Sequence, residues 1–171
     1  ARRNAAETGA PVEIVTADLR ALPAPLRQIG FDHVIANPPY FDRSASQASA
    51  DTRREAALGE QTPLADWLDT AARRLAPQGW LTLIHRAERL GDVLAGLARL
   101  GSVAVQPLVP RAGKPARLIL VRARKGGRAP LVLHDGLVLH AGARHLRDGE
   151  DYTPALRAVL REGAALPGFG A

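Results

Sequence analysis

The segment Trp80-Leu81-Thr82-Leu83-Ile84-His85 is almost wholly apolar, and it constrains the fold more than any other feature of the chain. A strand with one wet face alternates apolar and polar residues. A continuous apolar run of this length instead fits a strand covered on both faces, as in a largely parallel sheet layered between helices. Its neighbours agree. Before it, residues 63–76 set Leu64, Trp67, Leu68, Ala71 and Leu75 on one helical face, with Pro63 suited to the first turn and Pro77-Gln78-Gly79 as the stop. After it, residues 88–100 carry Leu90, Val93, Leu94, Leu97 and Leu100 as an apolar stripe at helical spacing.

The same alternation runs through the rest of the chain. Residues 1–8 are good helix formers with Gly9 placed as a C-terminal cap. Residues 12–17 are rich in β-branched side chains and end at Asp18; residues 31–36 form a second apolar run ending at Asn37. Residues 103–109 and 116–123 read as strands joined by the turn 110–115. Residues 131–139 read as a hairpin around Asp135-Gly136, and Thr153-Pro154 opens a last helix through Leu160. Strand, helix, strand, helix and a closing strand pair describe the second half of a doubly wound α/β domain. Because residue 1 falls inside a helix with no strand before it, the 171 residues are expected to be one domain without its N-terminal strand.

The chemistry is expected where strands end. Ligands in open α/β sheets sit at the carboxyl ends of the strands, and both Asp18 and Asn37 lie there. Asn37-Pro38-Pro39-Tyr40 follows its strand directly. Two prolines lock φ and supply no backbone N–H, so the chain leaves the sheet in a stiff extended turn. The Asn37 side chain and the Pro38 carbonyl then offer two fixed acceptors, which is what the two N–H groups of an amine on a planar ring require. Tyr40 can stack on such a ring once it has left its own stack. The competing reading is a Pro-Pro turn that merely ends a strand, with Asn37 as a cap and Tyr40 in the core.

With these residues in view, the segment 31–40 resembles the catalytic motif of class I amino-methyltransferases. The fuller pattern, Tyr40-Phe41-Asp42, the polar stretch with Arg53, Arg54 and Glu55, Leu83-Ile84-His85-Arg86 and Asp151-Tyr152-Thr153-Pro154, is similar to the bacterial tRNA1(Val) (adenine(37)-N6)-methyltransferases. The resemblance implies a Rossmann-like fold, its C-terminal part, mostly parallel with an antiparallel last strand. It implies S-adenosylmethionine as cofactor, adenine N6 in tRNA as acceptor and a cytoplasmic setting. Asn37, Pro38, Pro39 and Tyr40 would hold the target amine and base; Asp18, Leu19 and Asn37 would face the cofactor. The glycine-rich cofactor loop of such enzymes has no counterpart in these residues. Methyl transfer to DNA adenine or to protein glutamine uses the same tetrapeptide, and a basic RNA-binding module without activity is the reading from another class.

Composition narrows the partners. A net charge of +6 and a pI near 10.9 favour a polyanion. Arg53 and Arg54 sit in a polar stretch, residues 42–62, long enough to be a lid over RNA, and Arg111 and Lys114 belong to a cationic cluster placed to meet phosphates; a surface loop and edge-strand charges are the plainer readings. The absence of cysteine excludes a disulfide framework and a thiolate metal site; His33, His134, His140 and His145 have no metal-ligand spacing, and His85, ending an apolar strand, reads as a core histidine, so no metal is expected. No apolar run reaches bilayer length, and no membrane association is expected.

Overall fold

The computed structural model describes residues 2–9, 11–40, 62–142, 144, 151–166 and 169. Helix α1 (Arg2–Thr8) is followed by an extended stretch, a 3-10 turn (Leu19–Ala21) and a short α2 (Ala24–Gln28). Strand β1 (Phe31–Ala36), helix α3 (Leu64–Arg74) and strand β2 (Leu75–Arg86) come next, then a 3-10 turn (Ala87–Arg89) and helix α4 (Leu90–Gly96). Strands β3 (Gly101–Val109), β4 (Leu118–Arg124), β5 (Val132–Leu133) and β6 (Leu137–Val138) precede helix α5 (Pro154–Glu162).

The sheet order is β1-β2-β4-β3-β5, with β6 also on β3. β1 runs parallel to β2, β5 and β6 run parallel to β3, and β4 pairs antiparallel with both β2 and β3. All described strands except β4 therefore point one way, the mostly parallel sheet that the apolar patterning called for. The all-apolar segment lies at its centre: Leu83 pairs with Ala36 on one side and Val121 on the other.

Burial separates the two faces. Leu81, Leu83, Val105, Ile119, Val121 and Ala123 point to one side, where Leu64, Leu68, Ala71 and Leu75 of α3 and Val93 and Leu97 of α4 meet them in a single buried cluster. The expected helical stripes form this contact, and Trp67 packs on its margin, half-buried. On the opposite face Ile35 is 84% exposed.

Four local expectations are corrected. Residues 12–17 form no strand, because a β-branched run becomes one only where a neighbour completes its ladder, and none of the described residues does. β2 starts at Leu75 rather than Trp80: Leu75 already pairs with Phe31, and Pro77-Gln78-Gly79 is an irregularity inside the strand, with Gln78 at φ 66°. Gly79 is required there, since a Cβ would lie 2.8 Å from the Phe31 carbonyl oxygen. The predicted helix over 88–100 contracts to a 3-10 turn and α4, ending at Gly96. Asp135-Gly136 does not turn a hairpin. Val132 and Leu133 pair with Ala104 and Val105, and Leu137 and Val138 with Leu108 and Val109, so the segment tracks β3 in one direction. The Gln106 side chain donates to the Asp135 carbonyl in the intervening bulge, a non-local bond that outweighs the local turn preference.

Helix α5 begins as expected: Pro154 fills the first turn, Thr153 Oγ1 accepts from the Leu156 N–H at 3.4 Å, and Gly163 closes it in the left-handed region. Its approach is tied to the sheet edge by the Thr153 hydroxyl donating to the Val138 carbonyl at 3.0 Å.

Candidate active site

β1 delivers Asn37-Pro38-Pro39-Tyr40 to the carboxyl end of the sheet. Asn37 is exposed, the Pro38 ring is buried and Tyr40 is half-buried. The buried ring anchors a turn whose φ values are already locked, so the side chains on either side are held without much entropy left to lose. Tyr40 donates its hydroxyl to Asn37 Oδ1 at 2.9 Å. That bond fixes which end of the carboxamide is the acceptor and occupies one of its two lone pairs, leaving one for an incoming N–H.

His85 ends the core part of β2 directly behind Tyr40. The rings meet edge to face, 5.5 Å between centroids at 70°. His85 is completely buried, and neither ring nitrogen has a hydrogen-bond partner among the described residues. Burial, reinforced by the Arg89 charge, holds its pKa below the ordinary 6.5, so it is neutral at pH 7. Burial likewise raises the Tyr40 phenol, which stays protonated and remains a donor to Asn37. The contact between His85 and Tyr40 joins residues 45 apart in the chain; only the β1–β2 pairing brings them together.

The neutral His85 carries a stability consequence. With the folded pKa below the unfolded one, the unfolded chain takes up a proton first as pH falls, so stability declines as pH drops below about 6.5 and is unaffected above it. His85→Leu removes two unpartnered buried nitrogens and should stabilise the protein by about 1–2 kcal/mol at pH 7. It should also flatten that decline. Urea unfolding at pH 5 and pH 7.5 checks both; an unchanged pH dependence in the variant would contradict the assignment.

In front of Tyr40 lies a cleft of about 540 Å³, lined by Tyr40, Arg86, Ala87, Glu88, Ala116, Arg117 and Leu118. This is within the size range of small-ligand sites. It borders the two ends from which β2 leaves and β4 enters the sheet.

Asp18 lies after the extended stretch. Its carboxylate caps the 3-10 turn, accepting from the Arg20 N–H at 2.9 Å, and its other oxygen meets the Arg20 guanidinium at 3.4 Å. The Arg20 backbone N–H and then its side chain hold the Asp18 pKa below the carboxylate range. Asp18 is thus an ionised, solvent-facing acceptor, and Leu19 beside it is half-buried. An acceptor of this kind suits the amino edge of a purine.

The cationic residues divide. Arg111 is turned inward: its guanidinium pairs with Asp151 and reaches the carbonyls of Ala141 and Gly142, fastening the segment before α5. His140 Nδ1 lies 2.5 Å from the other Asp151 oxygen. Lys114 stands exposed in the turn after β3. Arg122 and Arg124 stack over Trp80, 4.0 and 5.3 Å from the ring centroid, at the far end of the sheet. Arg53 and Arg54 lie outside the described residues. Among the described residues no group of His, Asp and Glu is arranged to hold a metal ion, and no helix is long and apolar enough to cross a membrane.

The known proteins that this chain is similar to are methyltransferases. No family model matches the chain. It is 35% identical over 99 residues to the tRNA1(Val) (adenine(37)-N6)-methyltransferase of Shewanella baltica, covering 56% of this chain and 41% of that protein. The protein of the same name from Haemophilus influenzae is 29% identical over 111 residues, with 64% and 45% covered. A third, from Porphyromonas gingivalis, is 36% identical over 98 residues, with 54% and 38% covered. The matches thus span under half the length of each curated relative. Among solved structures, a predicted O-methyltransferase of Agrobacterium tumefaciens superposes with a TM-score of 0.68 at 26% identity, over 92% of this chain and 69% of that one. The fold is the Rossmann-like class I methyltransferase fold, and over about half its length the chain is similar in sequence to proteins named tRNA1(Val) (adenine(37)-N6)-methyltransferase.

Proposed function

We propose that this chain carries the catalytic portion of an S-adenosylmethionine-dependent methyltransferase acting on the N6 amine of adenine in tRNA, in the cytoplasm. The observation that carries the reading is the geometry at Asn37: an exposed carboxamide at a strand end, oriented by Tyr40 and seated on a buried proline. The names and the sequence likeness of the relatives support tRNA adenine over other amines.

S-adenosylmethionine, when bound, supplies an electrophilic methyl group on a sulfonium. Asp18, with the Leu19 segment, would accept from the amino group of its adenine. The work of this chain is positioning. Asn37 Oδ1 accepts one N–H of the target amine and the Pro38 carbonyl the other, which pulls the nitrogen toward sp3 and turns its lone pair toward the methyl group. The Tyr40 ring, propped by His85, presents its face to the base. Transfer would exchange the methyl group's bond to the sulfonium sulfur for one to nitrogen, leaving a neutral thioether, and the methylated amine would then release its proton to solvent; no strong general base is needed, and placement in a near-attack geometry supplies most of the acceleration.

The test is product identification. The purified protein is incubated with labelled S-adenosylmethionine and, separately, total tRNA, duplex DNA and a glutamine-containing protein substrate, and the products are digested. N6-methyladenine from tRNA alone is expected. Label confined to DNA or to glutamine would overturn the substrate, and no label in any substrate would leave the RNA-binding module as the better account.

A further inference from the structure

We infer that Arg117 is a phosphate-contacting residue, gripping the backbone next to the nucleotide whose base stacks on Tyr40; the inference rests on the reading of Tyr40 as the ring that faces the target base. Three observations lead there. Arg117 lines the same cleft as Tyr40. Its root is pinned: the Arg117 carbonyl accepts from the Ala87 N–H at 2.9 Å, and its own N–H donates to the Leu108 carbonyl at 3.4 Å. An exposed cation therefore projects from a fixed point where the ends of β2 and β3 meet. The other charges in the cleft cancel, since Arg86 pairs with Glu88 at 2.8 Å. Arg117 has no side-chain partner among the described residues and gives the cleft its net positive charge.

The cationic cluster of the closing strands thereby resolves into distinct roles. Arg111 fastens the segment before α5. Arg122 and Arg124 hold Trp80. Arg117 is left exposed, lining the cleft that the Tyr40 ring also lines. A cation and a stacking ring side by side form the basic unit of single-stranded nucleic-acid recognition.

Arg128 supplies the control. It is also exposed, but it follows β4, whose far end pairs Arg124 with Trp80 and Gly101. The length of β4 places it on the order of 20 Å from the cleft, beyond the roughly 10 Å over which exposed charges interact in 0.1 M salt.

The experiment is fluorescence anisotropy with a labelled single-stranded oligoadenylate, titrated with this chain across a series of salt concentrations. Arg117→Ala should weaken binding about fivefold at 0.1 M salt and lower the slope of log affinity against log salt by about 0.7. Arg117→Lys should keep the slope, and Arg128→Ala should match the parent. Equal losses in Arg117→Ala and Arg128→Ala would reduce the effect to net charge and overturn the proposal. So would an unchanged slope in Arg117→Ala, or no binding by the parent chain in low salt. Methyl transfer is read separately, so RNA binding that depends on Arg117 without N6-methyladenine would remove the enzymatic reading and leave the phosphate contact standing.

Discussion

Asn37→Ala should lower methyl transfer to tRNA by about 100-fold or more, a loss near 3 kcal/mol of transition-state stabilisation and similar to that of deleting one preorganised hydrogen-bonding group elsewhere. The substitution removes the acceptor proposed for the target amine and also strands the Tyr40 hydroxyl, whose described bond is to Asn37 Oδ1. Because the acceptor matters most as the nitrogen becomes pyramidal, the loss should fall mainly on kcat and little on the KM for the cofactor. Asn37→Asp keeps an acceptor oxygen at the Oδ1 position and should retain more activity than the alanine variant. Initial rates with labelled cofactor, with folding confirmed by circular dichroism, decide it. An alanine variant retaining a tenth or more of the parent rate would remove Asn37 from its assigned place.

Leu83→Ala should destabilise the protein by about 3–4 kcal/mol. Leu83 is fully buried at the centre of the sheet, between Ala36 and Val121 and beneath the α3–α4 layer. Flanking strands are held by backbone ladders and cannot collapse into the vacated space, so the cavity term adds to the lost transfer energy. Ile35→Ser is the matched contrast. It lies one residue from Ala36 in β1, but its side chain is 84% exposed on the other face, and its effect should stay within about 0.5 kcal/mol. Urea denaturation compares the two. Similar midpoint shifts would mean that the two faces of the sheet do not differ as burial indicates.

Much of this was legible in the chain itself. A continuous apolar run fits a central strand, so residues 80–85 announced the sheet centre, though among the described residues helices cover only the Leu81 and Leu83 face and leave Trp80, Thr82 and Ile84 half-buried; the leucine spacing before and after it announced α3 and α4. Asn37-Pro38-Pro39-Tyr40 announced a rigid exit from a strand because proline's locked φ acts locally, whatever surrounds it. The Thr153-Pro154 cap was equally local. What local rules could not supply were facts requiring two distant segments. Whether residues 12–17 become a strand depends on a neighbour's ladder, not on their own propensity. Asp135-Gly136 became a bulge because β3 and the Gln106 side chain captured both flanks.

The sequence by itself determined the period of each element, the stiff turn at Asn37 and the surplus of positive charge, since each follows from residues adjacent along the chain. Only the tertiary structure decided which charges remain available. Arg111 and Arg117 stand six residues apart and look alike in sequence. Folding sets one against Asp151 and leaves the other exposed, lining the Tyr40 cleft. The same is true of His85, whose neutrality and place behind Tyr40 come from desolvation and strand pairing. Burial and partnership are properties of the packed molecule, and residue order encodes them only through the fold.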